Sequence, residues 1–370
     1  MAALFRCQTF SSLPLLALLL LMGGCGSSAT REALRKVDTL VEFREYGKAL
    51  NLLRDEIKAH PDEPRFAEAL VITLLAAGRV EAAGMEYAAL LKKYPRDDFL
   101  VSALAHKNNS VREGAARLAG FQHDERAVRP LSRLLEDKDV NIRRAAVDAL
   151  GNLHATQSAD ALRKALKDPS WLVRSDAADA LRKIGDHGAV PGLLALLKDD
   201  DSYVRHMAER AIMELVQPSH LPQLTALLQS ENRPTRITAI LAMARLKDSH
   251  ATPLLLALLE DSDWEVRRGA ISGLIALGEK PALPAIRKRL SDPEVRVRME
   301  AIAGIQKLAD EDSVHELQRM AYDEHEDRNV RIAAAIVARE IILKVQKETG
   351  ARFTQPSPND YAVPTQKKQP

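Results

Sequence analysis

A β-branched residue followed by arginine recurs through more than half of the chain: Val111-Arg112, Ile142-Arg143, Val173-Arg174, Val204-Arg205, Thr235-Arg236, Val266-Arg267, Val297-Arg298 and Val330-Arg331. The step is 31 residues six times and 33 the last time. Four residues after each β-branched position stands alanine: Ala115, Ala146, Ala177, Ala208, Ala239, Ala270, Ala301 and Ala334. A second register, Pro191, Pro222, Pro253 and Pro284, keeps the same step. A period of this length holds two helices and a turn, and one such pair cannot bury its apolar face alone. The constraint is severe: the pairs must stack in a row, each covering its neighbour.

Each repeat reads as an outer helix, seen in "PGLLALLKD" (191–199) and "PLLLALLED" (253–261), then a short acidic turn, then an inner helix of the form VRxxAxxAL. Prolines fall in the first turn of the outer helices, where a missing N–H costs least. Asp137, Asp168, Asp199, Asp261 and Asp292 occupy matching turn positions, with Ser230 in the fifth repeat, and are expected to cap the inner helices.

Over about residues 100–345 this pattern closely resembles HEAT repeats, in particular the HEAT-like class first associated with phycobilin lyases. The resemblance implies an all-α fold, an α-α superhelix. It also implies a ladder in which Arg112, Arg143, Arg174, Arg205, Arg236, Arg267, Arg298 and Arg331 bind the turn aspartates of neighbouring repeats. An arginine repeated at one position in every repeat is not a single site, so Arg174 is assigned to the scaffold, where a bidentate guanidinium serves better than lysine. Packed helices lie about 8–10 Å apart, so eight pairs extend on the order of 70–80 Å, with the inner helices on a concave surface.

Ahead of the array, "EYGKALNLLRDEIKAHP" (45–61) aligns with "RVEAAGMEYAALLKKYP" (79–95) at a step of 34. Ala49 falls on Ala83, Leu53 on Tyr87 and Pro61 on Pro95. The segment 31–98 resembles tetratricopeptide repeats. Gly78 fits that family's inter-helix turn, whereas the equivalent first position is Arg44, a departure.

The chain opens with Arg6, an apolar run "LPLLALLLLM" (13–22), then Gly23, Gly24 and Cys25. This is a secretory leader rather than a membrane span. "LMGGC" resembles the lipobox of bacterial lipoproteins, which implies a signal peptide over 1–24, lipidation at Cys25 and a tether over 25–30. Two or three acyl chains at about 0.8 kcal/mol per buried CH₂ hold firmly. Gly26 after the cysteine implies outer-membrane sorting, and the expected location is the bacterial cell envelope, facing the periplasm. Cys7 and Cys25 are the only cysteines, so the body carries no disulfide or thiolate site. A formal charge of +2, one lower once Arg6 is lost, does not call for a nucleic-acid partner. Residues 351–370 have the composition of a disordered tail.

Chemistry finds little support. Among relatives with this repeat, iron-binding hydroxylases set His-Glu pairs directly after the repeated arginines, and no repeat here carries one; no GxSxG, Walker, HExxH or CxxC pattern occurs either. No catalytic residue, metal ligand or cofactor is therefore assigned. The alternative is a HEAT-like enzyme or metalloprotein, of oxidoreductase or lyase type, using the acidic loop 323–327 with His325. An exported chain would not meet cytoplasmic antenna proteins, which argues against the lyase activity itself. His206 is expected near Asp176 and Asp179. Trp171, Trp264 and Tyr203 stand near the turns, and the spacing of Trp171 and Trp264, three repeats apart, reads as packing.

The residues two and six places after each β-branched position are expected to leave the core and offer a protein-binding surface. Early repeats place charges there, with Arg144, Asp148, Asp179, His206 and Arg210 as candidate contacts. Later repeats place apolar groups there, with Ile237, Leu241 and Met299 as candidates. The last inner helix, "IAAAIVAREIILKV" (332–345), is apolar almost all round. It is expected to be covered by the tail through Phe353 and Tyr361, or by a second subunit in a homo-oligomer.

Overall fold

A computed structural model describes residues 28–95 and 98–349. The leader, Cys25 and the tail lie outside the described residues. Every regular element among the described residues is a helix, and the fold is an all-α solenoid of tandem helix pairs. The chain divides into two compact bodies, one ending at Ala211 and the other beginning at Ile212.

The first body starts with two helix hairpins, Ser28–Glu42 with Tyr46–Ala59 and Pro64–Ala76 with Val80–Lys93. The first helix begins at Ser28 and buries Thr30, so the expected tether over 25–30 gives way to helix three residues early. Ala49, Ala83, Leu53 and Tyr87 are completely buried, as the 34-residue alignment pairs them. The Arg44 departure vanishes in three dimensions. Arg44 has φ 59 and Gly78 φ 72, and both turns close with the same bonds: Arg44 N–H to Val41 O and Gly78 N–H to Leu75 O, each 3.0 Å. The turn demands a left-handed residue, and the chain accepts arginine there at a strain of about 1–2 kcal/mol.

The inner helices of the first four repeats are Asn109–Gln122, Val140–Asn152, Trp171–Ile184 and Ser202–Leu215. In the second body they are Arg233–Leu246, Trp264–Leu277, Val295–Leu308 and Arg328–Thr349. From the second repeat on, most outer helices span only seven residues, as in Val190–Leu196, each entered through a three-residue 3₁₀ turn such as His187–Ala189. Pro191 sits in the first turn, where it sacrifices no bond.

The core is made of columns. Val111, Ile142, Val173 and Val204 in the first body, and Thr235, Val266, Val297 and Val330 in the second, are completely buried, as are the alanines four residues later. Leu131, Leu162, Leu193, Leu224, Leu255, Ile286 and Leu317 form the matching outer-helix column at zero exposure. Each such aliphatic side chain contributes roughly 1.5–3 kcal/mol. Thr235 keeps its place because its hydroxyl donates to Asn232 Oδ1 at 3.0 Å.

A third column was not expected. Inner helices end on residues with positive φ at His123, His154 and Gly185 in the first body, and at Lys247, Gly278 and Ala309 in the second. The step is again 31. The series omits position 216, where valine stands and the chain instead leaves through extended Gln217; a β-branched residue fits the left-handed region poorly.

Candidate protein-binding face

The turn before each inner helix is organised by its carboxylates, though not as the sequence suggests. The cap is the residue two places after the expected aspartate: Asp139 accepts from Asn141 N–H at 2.9 Å and Asp263 from Glu265 N–H at 2.9 Å. The expected aspartates accept from the cap's own N–H, as Asp199 does from Asp201 at 3.0 Å. This leaves the rest of the carboxylate free to take the arginine of the preceding repeat.

Arg174 shows the full pattern. Its Nε donates to Asp199 Oδ2 at 2.7 Å and Nη2 to Asp199 Oδ1 at 2.8 Å. Nη1 donates to the carbonyls of Asp168 and Pro169 at 2.9 and 3.2 Å. One guanidinium thus closes its own turn and clamps the next. Arg112 with Asp137, Arg143 with Asp168 and Arg267 with Asp292 repeat the fork. The Arg174 guanidinium holds the Asp199 carboxyl below the usual carboxylate range, against the opposing effect of burial.

Four positions break the pattern. Arg205 binds the carbonyls of Asp199 and Asp200 at 2.7 and 2.9 Å, with no carboxylate partner among the described residues, and the fifth repeat supplies Ser230 in place of aspartate. Arg236 lies 3.8 Å from Asp261 and 3.7 Å from Asp263, a loose ion pair. Arg331, expected in the ladder, makes no side-chain bond among the described residues. The last turn is two residues longer than the others, and in it Glu326 takes Arg298 at 2.6 Å through Nη2 alone.

That same turn is the loop 323–327. Asp323 accepts from His325 N–H, Glu326 binds Arg298, and Asp327 caps the last helix through Asn329 N–H at 2.8 Å. Three of its carboxylates, those of Asp323, Glu326 and Asp327, are engaged in local structure, and no group of three or more His, Cys, Asp or Glu is arranged to hold a metal ion among the described residues. His206 does not meet Asp176 or Asp179. Asp176 pairs with Arg144 at 2.8 Å, and Asp179 with Arg182 and Lys183 at 2.8 and 3.1 Å, while His206 is exposed. Trp171 meets Tyr203 edge-on at 6.3 Å, and Trp264 lies under Arg296 at 4.8 Å.

On the inner face of the first body most charges are paired. Arg117 pairs with Glu113, Arg144 with Asp176, and Asp179 with Arg182 and Lys183. Asp148 stands without a hydrogen bond among them, its carboxyl pushed up by burial and by Asp176, against Lys183, Arg144 and Arg117. Arg210, six places after Val204, is exposed, and Ser175, two places after Val173, is buried with its hydroxyl on Leu172 O at 2.9 Å. The inner face of the second body is different. Leu241 is exposed, Ile237 and Met299 half-buried, and Ile332 and Ile336 exposed. The last helix is not apolar all round in effect: Val330, Ala334, Val337, Ala338, Ile341 and Val345 fill the core and only one stripe remains outside.

Sequence reading missed a cleft of about 650 Å³ in the first body, lined by Arg44, Tyr46, Lys107 and Asn109 among others, because it forms where a 34-residue hairpin meets a 31-residue repeat.

The profile of the HEAT-repeat family matches residues 98–166, 132–213, 190–274 and 221–297, together more than half of the chain. The chain belongs to the HEAT-repeat family. Many solved structures share its fold. This HEAT-repeat chain is similar to importin beta (TM-score 0.53, 15% identity), over 81% of this chain and 47% of that one. It is also similar to the complex of CpcE and CpcF of phycocyanin lyase from Nostoc sp. PCC7120 (TM-score 0.34, 22% identity, 66% of this chain and 94% of that one). An engineered protein matches with TM-score 0.41 and 19% identity, over 88% and 98% of the two chains. A search of curated proteins finds no match. These likenesses concern the fold. No helix among the described residues is long and apolar enough to cross a membrane. A HEAT solenoid is a scaffold for protein interaction, since its stacked helices offer extended surfaces rather than a closed pocket.

Proposed function

We propose that the protein is a lipid-anchored scaffold or adaptor of a bacterial cell envelope that binds a protein partner along its inner helices. One observation carries the reading. Among the described residues every repeated arginine but Arg331 is engaged by the turns, and of the side chains two and six places after the β-branched column, which vary from repeat to repeat, all but Ser175 reach solvent at least in part. The lipobox-like "LMGGC" supports anchorage at Cys25 on the periplasmic face of the outer membrane.

The test is photo-crosslinking in the native cell from probes at Asp179 and Leu241, one in each body, alongside Cys25→Ser. A dominant protein adduct at either probe, and release of the Cys25→Ser chain from the membrane fraction, are expected. Silence at both probes in a folded, anchored chain would remove the scaffold reading; retention of the serine variant on the membrane would remove the anchor.

A further inference from the structure

The exposed stripe of the last helix follows one helical face, with Ile332, Ile336, Arg339 and Leu343 at i, i+4, i+7 and i+11. The three apolar members are 48%, 51% and 53% exposed. The preceding inner helix, tied to this one by Gln306 Nε2 donating to Glu340 Oε2 at 2.6 Å, contributes Met299 and Ala303 at the same register as Ile332 and Ile336. The result is a two-helix apolar strip. Its rims are cationic. Arg339 interrupts it on one side, and on the other Arg268 and Arg296 lie over the Trp264 ring at 5.6 and 4.8 Å. None of the three has a carboxylate partner among the described residues, whereas in the first body Arg117, Arg144 and Arg182 are each paired with one and Arg210 alone of its inner-face arginines is not.

From this charge pattern we propose that the inner face of the sixth to eighth repeats docks an acidic amphipathic segment of a protein partner. Apolar side chains of the segment lie on Met299, Ile332 and Ile336, and its carboxylates meet Arg268, Arg296 and Arg339. The inference rests on the scaffold reading above and narrows it to a chemistry. The chain's own tail is the wrong charge for this site, since residues 352–370 carry Arg352, Lys367 and Lys368 against Asp360. Attraction to unpaired cations supplies orientation and encounter rate, and burial of the strip supplies contact area.

The experiment uses the full chain and two fluorescent helical peptides with leucine at i, i+4, i+7 and i+11, one flanked by glutamate and the other by lysine. Anisotropy is expected to give at least about tenfold tighter binding of the glutamate peptide at low salt, fading as salt rises. Arg268→Glu with Arg339→Glu should invert the preference, and Ile332→Ser with Ile336→Ser should weaken both peptides while circular dichroism is unchanged. Equal binding of the two peptides, or none, overturns the proposal. So does co-sedimentation with phosphatidylglycerol vesicles in place of peptide binding, a dimer in ultracentrifugation that Ile336→Ser abolishes, or binding that appears only after removal of residues 352–370. If equal binding is found while crosslinks at Leu241 or Asp179 persist in cells, the scaffold reading stands and only the acidic segment falls.

Discussion

The guanidinium of Arg267 forks onto the carboxylate of Asp292, Nε to Oδ2 and Nη2 to Oδ1 both at 2.8 Å, with both residues buried. Removing one partner of such a pair leaves a buried charge uncompensated, at about 3–5 kcal/mol. Arg267→Met should therefore lower the stability of the second body by about that amount, and Arg267→Lys by less, since the charge survives but the fork is lost. Arg331 occupies the same sequence position with no side-chain bond among the described residues, so Arg331→Ala should stay within about 0.5 kcal/mol. Denaturant unfolding of the three variants, followed by circular dichroism, measures the contrast. Equal losses at Arg267 and Arg331 would contradict the ladder geometry.

Acid should loosen the array through these carboxylates. Asp199 is held below its ordinary value of 3.8 chiefly by Arg174. Asp292 is lowered as well, burial being outweighed by Arg267, the Glu294 N–H and Arg289. A carboxyl lowered in the folded state contributes stability above its unfolded value and loses it as pH falls through the folded one. Stability should hold from neutral pH to about 4 and decline below it. Asp148 has the opposite sign: burial and Asp176 raise it, so its protonation favours the fold as pH falls. Carboxyl carbon shifts titrated by NMR should place Asp148 above 3.8 and Asp199 below it; the reverse order would refute the assignment.

Two glycines should respond differently to the same change. Gly185 has φ 72 and nothing within 4 Å of where a Cβ would stand, so Gly185→Ala costs backbone strain alone, about 1 kcal/mol. At Gly120 a Cβ would lie 2.9 Å from Ala149 Cα, on the neighbouring inner helix. Gly120→Ala must push the neighbouring helices away from each other, at about 1–3 kcal/mol. Asparagine, which tolerates the left-handed region, should recover most of the loss at position 185 and deepen it at position 120. Thermal melts decide the matter; a full rescue by asparagine at both sites would show that close approach plays no role.

How much of this was legible in advance differs by feature. Val173 and Ala177 declare their burial in the sequence, because a period of 31 with i, i+4 spacing is local and each repeat solves the same packing problem. Arg174 was legible as scaffold by repetition, and its pairing with a turn aspartate of the next repeat only as what the HEAT-repeat resemblance implied. The capping role was misplaced by two residues because Asp137 and Asp139 are chemically alike, and only the turn decides which side chain meets which N–H. His123, His154, Lys247 and Ala309 gave no signal for the left-handed column; Gly185 and Gly278, three repeats apart, were the one trace of it.

The sequence by itself determined the helix pairs, their number and step, the buried columns and the residues available to face solvent, because these follow from periodicity and side-chain volume. The tertiary structure alone decided that, among the described residues, Arg331 makes no side-chain bond while Arg298 takes Glu326, that Asp179 and Arg144 are already paired, and that Arg268, Arg296 and Arg339 have no carboxylate partner. Those outcomes depend on which carboxylate a turn two residues longer brings to an arginine, and on which charges on adjacent helices come within about 4 Å, and neither is written in any single repeat.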